Sequence, residues 1–169
     1  MITPSGKRSR VTRTLVYNKA AFPPVNYQGT VPGLKYKLFA GTFTSTNQLN
    51  GAAVIDSGVV KSFNTAAYKK NNAAFGVIYN GFINIDTDGV YGFATQSADG
   101  SVLLIDDRLV VDNDGRHNLY EQGGTVPLQK GYHRFALKYF NVGTTSTLRV
   151  FITIPGKPKG ELSPDEMYN

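Results

Sequence analysis

The sequence predicts an all-β domain, a sandwich or barrel of antiparallel strands, and three observations carry that reading. Apolar runs rich in Val, Tyr, Phe and Thr recur along the chain and are cut by Gly and Asp, a composition that suits pleated, half-buried strands. No stretch sustains the 3.6-residue hydrophobic period of an amphipathic helix. The chain has 169 residues, 41% hydrophobic and 18% charged, so it is long enough to bury a core and too apolar to stay disordered.

Residues 1–30 stand apart from the rest of the chain. Val11–Tyr17 alternates well enough for one strand, and Phe22–Gly33 then holds three prolines and two glycines, a linker composition. A boundary near Val25–Gly33 makes residues 1–30 a linker or the tail of a preceding β domain, and residues 31–169 the β domain proper. From Leu34 onward the pattern is β throughout. Leu34–Phe43, Ala74–Asp86 and Val90–Thr95 read as strands, and Asp88-Gly89 between the last two is a hairpin signal. Ala66–Ala74 has room for one short helical turn. Ser101–Ile105 and Arg108–Val111 flank a tight turn at Asp106-Asp107. Tyr132–Phe140 and Thr147–Ile154 read as a last hairpin joined by residues 141–146. In its second arm Leu148, Val150, Ile152 and Ile154 share one face, opposite Thr147, Arg149 and Thr153, with Phe151 interrupting the polar side.

Composition excludes several classes of function. The chain has no cysteine, which removes disulfides, thiolate metal sites and a Cys nucleophile. No segment approaches the roughly 18 consecutive apolar residues of a membrane span, and Met1–Arg8 carries no apolar signal-peptide core, so either the protein is cytosolic or an export signal lies upstream of this sequence. The net charge of +6 is uneven: residues 1–55 hold seven basic residues and no acidic one, and the excess lies mostly before Ala20. Such an arm reads as a solvated flank, and no nucleic-acid-reading motif accompanies it. Gly-x-Ser-x-Gly, a phosphate loop and His-Glu-x-x-His are all absent, so the chain is not expected to be a catalyst on its own.

A set of ordered motifs points further. Gly89–Gly115 contains a Gly-x-Tyr-x-Phe strand, the turn Ser97-Ala98-Asp99-Gly100, an aliphatic strand ending at Ile105-Asp106-Asp107, and a Leu109-Val110 strand. Together with Tyr79–Ile83 before it, Val126–Phe140 after it and the tail Leu162–Tyr168, this order resembles the PA14 domain family over about residues 32–168. The resemblance implies a PA14-like antiparallel β-barrel or sandwich that serves as a glycan-binding or substrate-shaping module outside the cytoplasm. Pro4–Thr12 resembles the end of the β-sandwich that follows the catalytic barrel in bacterial β-N-acetylhexosaminidases. That implies the C-terminal portion of such a glycoside hydrolase, with the parent's catalytic domain as a partner.

Seven aspartates (Asp86, Asp88, Asp99, Asp106, Asp107, Asp112, Asp114) fall in one stretch against a single base, Arg108. Clustered carboxylates suit a hard, oxygen-seeking cation such as calcium. In glycan-binding members of the family, two adjacent aspartates and a later asparagine hold calcium, which grips sugar hydroxyls. By position the second aspartate falls on Asp99 and the asparagine on Asn141, while Ala98 stands where the first would be. The competing reading makes Asp99, Asp106 and Asp107 turn formers. Asp112-Asn113-Asp114-Gly115 has oxygens at alternate positions but no downstream Glu at EF-hand spacing. His133 reads as a packed structural residue and His117 as an exposed one. Sugar rings present an apolar face and hydroxyl edges, which an aromatic beside polar groups matches; Tyr120 with Arg116, His117 and Asn118 supplies that mixture. The expected carbohydrate-binding set is therefore Asp99, Gly100, Asp112, Asn113, Arg116, His117, Tyr120 and Asn141, with Asp99 and Asn141 the candidate calcium ligands. The alternative is a non-binding cap that docks on a catalytic domain and shapes substrate access.

Overall fold

The computed structural model describes residues 20–69 and 73–169. The strand expected over Val11–Tyr17, the basic cluster before Ala20 and the Pro4–Thr12 segment lie outside the described residues. Within them the chain forms strands β1 (Leu34–Ala40), β2 (Val54–Val60), β3 (Phe75–Ile85), β4 (Gly89–Ser97), β5 (Ser101–Ile105), β6 (Arg108–Asn113), β7 (Tyr120–Leu128), β8 (Gly131–Asn141), β9 (Leu148–Thr153) and β10 (Gly160–Glu161). They make two antiparallel sheets, one of order β2-β1-β3-β8-β5-β6 and one of order β10-β9-β4-β7. No helix of the described residues is long and apolar enough to cross a membrane.

Alternation builds the core. Phe135, Leu137 and Tyr139 of β8 and Leu103 and Ile105 of β5 point inward from the larger sheet. They meet Tyr91 and Phe93 of β4, Val126 and Leu128 of β7, and Val150 of β9 in one cluster. Both sheets thus bury one face against the other, the arrangement that stabilises a sandwich. A second, smaller cluster lies on the other face of the larger sheet, where Leu49 covers Phe39, Phe43 and Phe140. Leu49 sits in a 3-10 turn, Thr46–Gly51, opened by a capping box between Ser45 and Gln48; burying a leucine contributes about 2 kcal/mol. Along one side the sheet edges β6 and β7 come so close that a Cβ on Gly124 would lie 1.9 Å from the Val110 carbonyl oxygen.

The structure corrects two of the expected hairpins. β3 and β4 do not pair with each other, nor do β8 and β9, because in each case one strand belongs to the larger sheet and the next to the smaller. Asp88-Gly89 and residues 141–146 are therefore crossings between sheets. The hairpin at Asp106-Asp107 is real: Ile105 pairs with Arg108, and both turn residues have positive φ, 49° and 63°, the geometry of a type I′ turn. Asp106 does more than turn. Its carboxylate accepts from Arg134 N at 2.9 Å and meets Nδ1 of the fully buried His133 at 2.7 Å, whose Nε2 lies 2.8 Å from the Gln129 carbonyl. The helical turn expected in Ala66–Ala74 falls at Thr65–Tyr68, one residue earlier and shorter. Strands β2, β7 and β10 are additions to the sequence-based expectation: β2 is an exposed edge, β10 is only two residues long, and β7 carries Gly123, Gly124 and Pro127, residues that normally interrupt a strand.

The described part of the proline-rich stretch is packed against the sandwich. Phe22 bridges to Leu128 and lies under the Arg108 guanidinium at 3.5 Å. The Tyr27 ring stacks on Phe82 at 3.8 Å and its hydroxyl donates to the Asn169 carbonyl at 2.7 Å. Tyr27→Ala is expected to lower stability by about 1–2 kcal/mol, the sum of a lost aromatic pair and a lost hydrogen bond. Urea denaturation measures it, and an unchanged midpoint would mean that this segment contributes nothing to the fold.

Candidate functional site

Three passages from one sheet to the other are stitched together at one end of the sandwich. β4 leads to β5 through Ala98–Gly100, β6 to β7 through residues 114–119, and β8 to β9 through residues 142–147. Ala98 N donates to the Thr147 carbonyl at 3.0 Å, and Asp99 N donates to the His117 carbonyl at 2.9 Å.

Asp99 pins the three together. Its φ of 62° is a left-handed conformation that Asp tolerates better than most residues, and only 8% of its surface is exposed. Oδ2 accepts from Val142 N at 2.8 Å, Gly143 N at 3.2 Å and Asn141 Nδ2 at 3.2 Å. Asn141, fully buried at the end of β8, also donates from Nδ2 to the Thr145 carbonyl at 3.0 Å and the Ala98 carbonyl at 3.3 Å. The residue after Asp99 has to be glycine: a Cβ on Gly100 would lie 2.4 Å from the Phe140 ring and 2.7 Å from Asp114 Oδ1.

Below the turn lies a buried hydroxyl and amide network. Ser97 Oγ donates to the Asp99 carbonyl at 2.8 Å and receives Asn113 Nδ2 at 3.1 Å. Ser101 Oγ donates to Thr95 Oγ1 at 2.8 Å. A buried network with its partners in place rigidifies what stands on it. To one side the Asp114 carboxylate accepts from Ser45 Oγ at 2.8 Å and Thr46 N at 2.9 Å, holding the 3-10 turn to the loop. Burial, aided by the Asp99 charge, pushes the Tyr139 hydroxyl pKa well above its ordinary value.

Above the network is a cleft of about 360 Å³ walled by Ala98, Asp99, His117, Asn118, Leu119, Asn141 and the loop threonines Thr144, Thr145 and Thr147. Of the residues singled out from sequence, Asp99, His117 and Asn141 line it. Gly100 and Asn113 are buried and hold the loops rather than the cleft wall. Asp112 borders a separate depression with Thr46 and Lys138, and Arg116 Nε donates weakly to the Phe43 carbonyl at 3.4 Å. Tyr120 stands 58% exposed beside the cleft, its ring edge-on to His117 at 6.4 Å. The His117 ring is itself held, Nδ1 2.8 Å from the Asn118 carbonyl and Nε2 3.0 Å from the Asn113 carbonyl. A depression of about 610 Å³ lies elsewhere, beside β2, with Tyr36, Asp56 and Tyr68 in its lining. It lacks the convergence of three connecting loops that marks the smaller cleft.

Two contributors escape a reading of the sequence. The hydroxyl run Thr144-Thr145 is visible after Asn141 but reads as connection only. Lys69 carries no local signal: its ammonium reaches across 72 positions to donate to Asn141 Oδ1, and also donates to the Gly143 carbonyl. Burial lowers the Lys69 pKa, and the Asp99 charge acts in the opposite direction.

Calcium, implied at Asp99 and Asn141, does not fit this arrangement. The ion takes about six to eight oxygen ligands, but position 98 offers a methyl group, and Asp99 Oδ2 already accepts three N–H donors. Asn141 Oδ1 faces the Lys69 ammonium. Among the described residues no group of three or more His, Cys, Asp or Glu side chains is placed to hold a metal. Removing the Asp99 carboxylate leaves the Val142 and Gly143 amides without their acceptor. Asp99→Ala is therefore expected to cost about 2–3 kcal/mol in urea denaturation, and a loss under about 0.5 kcal/mol, the size of an ordinary surface change, would contradict the pinning role.

The PA14 domain model matches residues 30–166. Among solved structures, the anti-sigma factor domain-containing protein from Clostridium clariflavum is 22% identical with a TM-score of 0.66, over 86% of this chain and 51% of that one; the chain spans about half the length of that relative. The PA14 sugar-binding domain from an RTX adhesin is 15% identical with a TM-score of 0.67, over 83% of this chain and 99% of that one. The GH31 α-xylosidase from Xanthomonas citri is 17% identical with a TM-score of 0.56, over 81% of this chain and 16% of that one. At these identities the likeness is one of fold, and no curated protein sequence matches the chain. With the family match running from residue 30 to residue 166, the chain belongs to the PA14 domain family.

Proposed function

We propose that this domain is an accessory carbohydrate-binding module that takes its glycan in the cleft of the crossing loops. The observation that carries the reading is the cleft itself. Three loops bring the carboxylate of Asp99, the imidazole of His117, the apolar side of Leu119 and the hydroxyls of Thr144 and Thr145 around one opening. A sugar needs such a mixture, because its hydroxyls are matched by polar groups and its C–H face by apolar ones. Support comes from the similarity to a domain described as sugar-binding and to one stretch of a glycosidase.

At a finer level, we infer that the module is joined to a catalytic domain in a longer extracytoplasmic chain, a β-N-acetylhexosaminidase-like glycoside hydrolase. The support for that parent is the resemblance of Pro4–Thr12, and residues 31–169 are the proposed domain unit with residues 1–30 as its connection, whose Phe22 and Tyr27 pack onto the sandwich. A second reading, a cap that docks on the catalytic domain without binding sugar, is favoured by one observation: the place that calcium would need is already filled by Lys69 and Ala98.

Calorimetry with N-acetylhexosamine oligosaccharides, after a glycan array, separates the two. The binding module gives a saturable signal with or without calcium, and Thr144→Ala, which removes an exposed hydroxyl lining the cleft, weakens it about tenfold, as expected when a polar contact worth about 1.4 kcal/mol is lost. Silence across the whole panel contradicts the binding module and leaves the cap.

A further inference from the structure

The cation of the crossing-loop site comes from the chain itself. Lys69 follows the short 3-10 turn Thr65–Tyr68, just before β3. Its ammonium donates to Asn141 Oδ1 and to the Gly143 carbonyl, and it lies 5.8 Å from the centroid of the Phe75 ring. Two neutral oxygens turned toward one point, with an aromatic face behind, are the surroundings of a positive charge. The orientation of Asn141 follows from this. Its Oδ1 faces Lys69 while its Nδ2 hydrogens face the Asp99 carboxylate and the Ala98 and Thr145 carbonyls. The amide is thus a relay between an anion on one side and a cation on the other.

We propose that Lys69 is the resident cation of this site, standing where a metal ion would otherwise hold the loops, so that the cleft is shaped without calcium. A lysine ammonium has three donors and no acceptor, which suits an amide oxygen and a loop carbonyl but does not meet the ligand number of calcium. A charged donor on the Gly143 carbonyl fixes the start of the loop that carries Thr144 and Thr145 into the cleft. The statement that glycan binding is calcium-independent rests on the proposed carbohydrate reading; the role of Lys69 in holding the loop does not.

Two measurements on the full chain test the role without any glycan. In the first, backbone amide shifts are followed by NMR as calcium chloride is added to about 10 mM, above the roughly millimolar affinities of weak extracellular calcium modules. Amides of Asp99, Asn141 and Gly143 should not move, and a saturable shift at these positions overturns the proposal. In the second, amide hydrogen exchange is compared between the wild type and Lys69→Met, which keeps most of the apolar stem and removes the charge. Exchange at Val142 and Gly143 should accelerate at least about tenfold, as for loss of charge-assisted hydrogen bonds, while the β3–β8 ladder stays protected. Unchanged exchange at those two amides overturns it. If the variant does not fold, the calcium titration of the wild type still decides.

Discussion

One carboxylate oxygen, Oδ2 of Asp99, governs the end of this molecule where the sheets exchange strands. A sandwich has to pass its chain between layers, and each passage leaves backbone groups that no ladder satisfies. Here β4–β5, β6–β7 and β8–β9 make their passages at the same end. The Asp99 side chain accepts the amides of Val142 and Gly143, and its own amide goes to the His117 carbonyl. One residue in a left-handed conformation thereby joins all three crossings. The positive φ, the close approach at Gly100 and the full burial of Asn141 all follow from that arrangement.

The cost of burying so much polarity is offset by partners. Thr95, Ser97, Ser101, Asn113 and Asn141 are all nearly or fully buried, yet each finds a donor or acceptor among its neighbours. A satisfied polar cluster is stiff, whereas a partly satisfied one would be among the weakest parts of the fold. Under the proposed binding role, a rigid floor below short loops lowers the ordering cost of taking up a ligand. Lys69 extends the same logic outward, supplying from the chain a charged donor for the Asn141 amide oxygen and the Gly143 carbonyl.

Much of the fold is legible in the sequence because strand periodicity is a local property. The strands from Leu34, the run before Asp86 and the type I′ turn at Asp106-Asp107 can be read from a few neighbouring residues each. Two connections mislead for a physical reason. Asp88-Gly89 and the loop after Asn141 look like hairpin turns, but the local pattern does not say to which sheet the next strand returns, and both strands go to the other one. β7 is hidden because Gly124 serves close approach to β6 and Gly123 lies against β4, tertiary needs with no local signature. The same limit applies to the site. Asp99 and Asn141 are found through motif order, and Ala98 warns that calcium would lack a ligand. The charge that takes the ion's place lies 72 positions away, on a lysine with nothing in its own neighbourhood to mark it.

If the three crossing loops form the ligand-binding end of the domain, a bound sugar must disturb those loops first. Mapping amide shift changes by NMR, on addition of an oligosaccharide that binds, tests this most directly. The perturbed amides are expected to cluster in residues 98–100, 115–119 and 142–147, with the opposite end of the sandwich silent. Perturbations concentrated along the exposed edge strand β2 would contradict it.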